Sequence, residues 1–160
     1  MLDSDTQAFL QTGVSISLAA CNAARLACMS RGMGCKVLDG GSRMAVFVKR
    51  SQSPELLDNV AVTGKVACVF SLPSSNRTLQ LKGADAVMQP FDPADMAIVE
   101  HHIDEFVREV VPLGMAEVVV RTVFSCTADD LVTVVFSASA VFSQTPGPKA
   151  GEPVGGASAS

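Results

Sequence analysis

Residues 39–41 read Asp-Gly-Gly and lie between two segments with strand character, residues 26–38 and 43–48. Glycine tolerates the left-handed backbone that a tight hairpin needs, and Asp tolerates it better than most residues. The two flanking strands are therefore expected to pair antiparallel. A parallel pair would need a crossover of about a dozen residues, which this turn cannot supply. This hairpin constrains the fold more than any other feature, because it plants an antiparallel sheet in the middle of the chain.

The remaining segments fit that beginning. Residues 3–11 predict a short helix capped by Asp3 or Asp5 and ended by Gly13. Residues 14–18 alternate apolar and polar, the period of a half-buried strand, and residues 19–24 read as a small-residue turn. Gly32 and Gly34 interrupt the strand over 26–38 and suggest a bulge or a close backbone approach. Ser53-Pro54-Glu55 starts a helix that carries Leu56, Leu57 and Val60 and stops near Gly64. Residues 65–71 predict an apolar strand, 72–76 a loop, and 77–89 one long strand with a bulge at Gly83. Asp92-Pro93 opens a helix through Val110. Residues 115–125 predict another helix, although Val118-Val119-Val120 would equally suit a strand. Residues 131–142 predict the last strand. The whole reads as a mainly β, α+β domain over residues 1–143. Its strands suffice to close a small antiparallel barrel, with helices over the ends. A tail rich in Pro, Gly, Ala and Ser follows over 144–160, its end expected to be disordered.

Charge and composition narrow the function. Twelve Lys and Arg face sixteen Asp and Glu, and the eight Phe are unaccompanied by Tyr or Trp. A general nucleic-acid or anionic-membrane surface would want the opposite sign, and stacking platforms for bases would want more aromatics. No apolar run reaches the roughly 18 residues of a membrane span. The five cysteines (Cys21, Cys28, Cys35, Cys68, Cys126) include no Cys-x-x-Cys, which fits small core residues in a reducing cytoplasm. Cys21, Cys28 and Cys35 recur every seven residues, wider than zinc pairs. His101 and Glu105 share a helix face and could form half a metal site; no second half is evident, so no metal is expected. Gly-x-Ser-x-Gly, phosphate-loop and His-Glu-x-x-His motifs are absent. Chemistry, if any, is expected from an organic cofactor.

The charges are unevenly spread. Between Arg25 and Lys82 lie nine Lys or Arg and three acids, while the stretch from Asp92 to Glu109 holds six acids and one base. A basic strand region in an acidic protein suits a local anion site. Solvent-facing strands that use Lys and Arg to protect their edges would give the same pattern.

Two segments carry a family resemblance. Residues 76–83, Asn-Arg-Thr-Leu-Gln-Leu-Lys-Gly, resemble the Arg-x-apolar-x-apolar-x-Gly strand of the pyridoxamine 5'-phosphate oxidase-like family, and residues 31–36, Arg-Gly-Met-Gly-Cys-Lys, resemble its earlier strand. Residues 142–148 resemble the closing segment of an uncharacterised subgroup of FMN-binding split-barrel proteins. The resemblance implies an antiparallel split β-barrel, a cytoplasmic homodimer and FMN at the dimer interface, in a flavin-dependent oxidoreductase acting on an unknown small substrate. A non-catalytic binding protein for flavin, haem or another ligand is the alternative. By position it implies a cofactor-binding set. Arg31, Gly32 and Lys36 would lie at or near the phosphate, Phe47 and Val48 beside the ring and ribityl chain, and Arg77, Thr78 and Gln80 on a flavin-facing strand. In the oxidase proper a Ser-Arg-Lys stretch grips the phosphate; here Lys49, Arg50 and Ser51 are the candidate substitutes. The oxidase's C-terminal substrate-binding pattern is absent, so vitamin B6 oxidation is not implied.

Overall fold

A computed structural model describes residues 1–154. Its core is one eight-stranded, wholly antiparallel sheet: β1 (Ser15–Cys21), β2 (Ala27–Leu38), β3 (Arg43–Lys49), β4 (Val66–Ser71), β5 (Thr78–Gly83), β6 (Val87–Pro90), β7 (Leu131–Ser137) and β8 (Ala140–Ser143). The spatial order is β6-β7-β3-β2-β1-β4-β5-β8. The expected hairpin is present: Asp39, Gly40 and Gly41 all take positive φ (50°, 66° and 100°), and Leu38 pairs with Arg43.

Two expected strands are each split in two, and the splits make the barrel. The segment expected to run unbroken over 77–89 ends as β5 at Gly83 and restarts as β6 beside β7, at the far edge of the sheet. The last segment likewise ends as β7 at Ser137 and restarts as β8 beside β5. Both connections cross the same seam and draw the two sheet edges together. Ser139 N–H donates to the Lys82 carbonyl at 2.9 Å. The Asp85 carboxylate accepts from Ser137 N–H at 2.8 Å and from its hydroxyl at 2.6 Å. Gly83 is needed where the edges touch: a Cβ there would lie 2.7 Å from Phe136 Cδ2 and 2.9 Å from the Ser137 carbonyl oxygen. The fold is a split barrel. Two further boundaries shift: β1 extends to Cys21 through the expected small-residue turn, and the β-branched run at 118–120 is helical.

The strand alternation fills the interior with Ile16, Leu18, Met44, Val46, Cys68, Phe70, Leu81, Val134 and Phe136. Helix α1 (Ser4–Leu10), capped by Asp3, adds Phe9 and Leu10 to this core. Helix α2 (Pro54–Thr63), with Pro54 in its first turn and Gly64 left-handed at its end, adds Leu56, Leu57 and Val60. A second core forms outside the barrel. There α3 (Met96–Val110) and α4 (Glu117–Val123) bury Val99, Phe106, Val107, Val110 and Val120 against Met33, Ala45, Phe47 and Val135 of the sheet. Strand β2 passes under this helical layer at a bulge between Gly32 and Gly34. A Cβ on Gly32 would collide with the Ile16 side chain. Beyond β8, residues 144–154 fold back along it: Ser143 N–H donates to the Glu152 carbonyl, Gly151 N–H to the Ser143 carbonyl and Val154 N–H to the Val141 carbonyl. The tail's expected disordered end, residues 155–160, lies outside the described residues.

Candidate functional site

The helices cover part of the outer sheet surface and leave part bare. On the bare part, the ladder registers line up a row across five strands: Arg31, Ser17, Val69, Gln80 and Phe142. The next row inward is Met29, Ala19, Ala67, Lys82 and Ala140, and the row on the other side begins Ser15, Ser71, Thr78. On β1, β4 and β5 these positions alternate with residues buried in the barrel and so point out of it, and the register places their partners on β2 and β8 on the same face. Small side chains at Ser15, Ser17, Ala19, Ala67 and Ser71 make the surface flat. A depression of about 210 Å³ opens on it, lined by Ala19, Cys21, Ala27, Lys65 and Ala67 among others. Met29 stands 68% exposed beside it.

One border of this face is built by α4. Arg31 reaches it from β2, its guanidinium 5.2 Å from the Phe124 ring centroid. Phe124 is buried against Phe106 and His102, with centroids 5.2 and 5.9 Å away. Lys49 lies one step beyond the last β2–β3 pair, Gly32 opposite Val48, and so beside Arg31. The opposite border is the segment after β8. Thr78 N–H donates to Thr145 Oγ1 at 2.9 Å, and Thr78 shares a hydrogen bond with Ser71. Gln144 donates weakly to Gln80 at 3.4 Å.

The expected binding residues therefore divide. Arg31, Thr78 and Gln80 share the bare face, and Arg50 and Ser51 lie in a 3-10 turn at its α4 border. Arg31 and Arg50 make no ion pair among the described residues. The other residues sit elsewhere. Lys36 pairs with Asp95 at 2.6 Å and ties β2 to the turn before α3. Lys49 is buried, 7% exposed, and its ammonium donates to the Ser125 carbonyl at 2.9 Å and the Val123 carbonyl at 3.4 Å, closing the end of α4. A cation there is doubly favoured, by the unpaired carbonyls and by the helix dipole. Arg77 stacks on Phe9, 4.2 Å from the ring centroid. Phe47 is buried under α3 against Phe91, and Val48 and Gly32 are buried as well.

Sequence reasoning missed three residues here. Asp95 and Asp130 lie 59 and 79 residues from the groups they bind, so no local pattern announces them. His102 is buried with Nε2 lacking a partner among the described residues. Burial, helped by the charges of His101 and Arg31, pushes its pKa down to about 4. It is a neutral filler of the helix–sheet core. Burial also pushes the Cys35 thiol up to about 12 and raises Cys68 well above the usual range. These thiols are therefore not nucleophiles at neutral pH. Among the described residues no three His, Cys, Asp or Glu side chains gather to hold a metal, and no helix is long and apolar enough to cross a membrane.

The architecture, an open-seamed antiparallel barrel with a helical layer on one flank, is the split-barrel fold that pyridoxamine 5'-phosphate oxidase-like proteins also have. Solved structures agree with it. HupZ of Group A Streptococcus superposes with a TM-score of 0.56 at 10% identity, covering 94% of this chain and 100% of that one. A putative pyridoxamine 5'-phosphate oxidase from Lactobacillus delbrueckii gives 0.53 at 15% identity, covering 88% and 93%. A pyridoxamine 5'-phosphate oxidase-related, FMN-binding protein from Nostoc punctiforme gives 0.52 at 9% identity, covering 93% and 89%. No protein-family model matches the sequence, and no curated protein matches it. At such identities the likeness is one of fold.

Proposed function

We propose that this chain binds a flavin, FMN in the first instance, on the bare face of β1, β2, β4 and β5, as a homodimer whose second copy covers that face. The observation that carries the reading is the cross-strand row from Arg31 through Ser17 and Val69 to Gln80. It joins a flat, small-residue surface, suited to a planar ring, to a guanidinium that forms no ion pair among the described residues. Arg31 would hold the phosphate. Gln80 and Thr78 would offer hydrogen bonds to ring or ribityl oxygens, and Ala19 and Ala67 would pack against apolar surface. Lys36 and Lys49 stay with Asp95 and α4. A solitary face of this kind leaves Met29 and Leu26 in water, and a symmetric partner is the usual way to bury such a surface. A bound flavin would supply reversible electron and hydride transfer, and the protein would orient it and exclude water. An oxidoreductase acting on a small substrate, in the cytoplasm, is the function this supports.

The test is titration of the purified protein with FMN, read by quenching of flavin fluorescence, beside light scattering. Saturable binding to a dimer is expected. No saturation up to about millimolar FMN, a free energy weaker than about −4 kcal/mol, would overturn the cofactor assignment. A Soret band in the protein as purified would replace flavin by haem.

A further inference from the structure

The turn after β3 already holds an anion, and the anion is the protein's own. Ser51 N–H donates to Asp130 Oδ1 at 2.9 Å, and the Ser51 hydroxyl donates to Oδ2 at 2.6 Å. One carboxylate thus takes two convergent donors, the arrangement a phosphate would take with two of its oxygens. The two Ser51 donors, helped by the charges of Lys49 and Arg50, hold the Asp130 carboxyl below its ordinary value. Asp130 is placed by the sheet, because the next residue, Leu131, pairs with Lys49 in the β3–β7 ladder. A group fixed this way competes with a free anion at a high effective concentration.

We infer that Asp130 is an internal occupant of an anion seat formed by Ser51 and Arg50, and that it selects against ligands that would place a phosphate there. This deepens the flavin reading and rests on it for the identity of the natural ligand. The seat itself is a property of this chain's own residues. An anion entering it must displace the carboxylate, lose two short hydrogen bonds and meet a negative charge. A phosphorylated ligand is then held through Arg31, without the added grip of Ser51 and Arg50. The seam supplies an internal comparison. Asp85 makes the same two bonds to Ser137, with Arg43 as its neighbouring cation. It sits at the seam, in the link from β5 to β6.

The experiment titrates inorganic phosphate into the wild-type protein, Asp130→Ala, Asp130→Asn and Asp85→Ala, following the Ser51 amide by NMR. Asp130→Ala should bind phosphate at Ser51 at least about tenfold more tightly than wild type, since charge-assisted bonds to the seat are regained. Asp130→Asn, which keeps size and one acceptor, should show a smaller gain. Asp85→Ala should show none. Equal phosphate binding by wild type and both Asp130 variants would overturn the inference, as would a gain in Asp85→Ala of the same size. If Asp130→Ala does not fold, Asp130→Asn alone decides, by the presence or absence of its gain. A parallel titration with FMN and riboflavin separates the two proposals. A gain for phosphate with no binding of either flavin supports the seat and removes the flavin reading. A flavin-binding protein whose preference for FMN over riboflavin is unchanged in Asp130→Ala removes the seat's role in selectivity.

Discussion

Replacing Lys49 with Met separates two roles that a lysine at this position could hold. By family resemblance it is a phosphate ligand; by geometry it is the clamp on the end of α4. Met keeps the aliphatic stem in the same buried path and removes the ammonium. Two bonds go with it, one short (2.9 Å, Ser125) and one long (3.4 Å, Val123). A hydrogen bond from a charged donor contributes about 1.5–3 kcal/mol, and the cation at a helix C-terminus about 0.3–1 kcal/mol more. Against this, the variant no longer desolvates an ammonium in a site where Lys49 is 7% exposed. The net loss is therefore about 1–3 kcal/mol. For a chain of this size each kcal/mol lowers Tm by about 2–4 °C, so calorimetry should show a drop of about 2–12 °C. Amide exchange should accelerate first at residues 120–126, where Phe124 loses its anchor. FMN affinity, measured well below the new Tm, should change by less than about threefold, since the group removed faces the helix and acts on the ligand through long-range field alone. An unchanged Tm together with a tenfold or greater loss of FMN affinity would refute the clamp and return Lys49 to the phosphate.

Other substitutions address the remaining parts. Arg31→Ala should weaken FMN about ten- to a hundredfold by fluorescence titration and riboflavin by less than about threefold, with Arg31→Lys recovering part of the loss; equal losses for both flavins would withdraw the phosphate role. Gly83→Val should lower stability by at least about 2 kcal/mol in urea unfolding, because the Ser137 carbonyl cannot yield to the new Cβ; an unchanged midpoint would mean the seam is looser than its geometry. His102 is held neutral in the fold, its pKa pushed down to about 4 from 6.5, so the unfolded chain binds the extra proton. Its contribution is complete above about pH 6.5 and is lost as pH falls towards 4, amounting to something of the order of 3 kcal/mol. His102→Phe should flatten that part of the stability–pH curve, and an unaltered curve would place the acid sensitivity elsewhere.

The strands of this fold were legible because each is a local pattern. Alternation along β1, the apolar run of β4, the Asp39-Gly40-Gly41 turn, and Ser53-Pro54-Glu55 before α2 all report on a few consecutive residues, and each is found in place. Failures arose where a distant segment decides. Nothing near Gly83 says that β5 and β6 belong to opposite sheet edges; that follows from Phe136 and Ser137 arriving at the seam, more than fifty residues later in the sequence. The run Val118-Val119-Val120 looked as much like strand as helix. Helix is held there by Arg121, which bonds Glu117 one turn earlier and reaches Asp104 on α3.

The candidate site was half legible for the same reason. A count of nine cations across residues 25–82 gives a field, and a field does not say which charges are free. Arg31 and Lys36 are five residues apart on one strand, yet the bulge at Gly32–Gly34 carries the strand beneath α3 between them. Lys36 thereby meets Asp95, and Arg31 stays at the edge of the bare face. Lys49 and Ser51 are likewise turned towards residues 123–130. Burial decides the outcome: an ammonium 7% exposed must be bonded, and its acceptors are the carbonyls at and just beyond the end of α4. Arg31 and Arg50 remain without an ion pair among the described residues, and a guanidinium keeps its charge and its fork of donors in any surroundings. In the proposed reading anion recognition would fall to Arg31, with Arg50 left to the seat that Asp130 fills. Asp130 is held there by Ser51, within the field of Arg50, which makes its removal the sharpest perturbation of that seat.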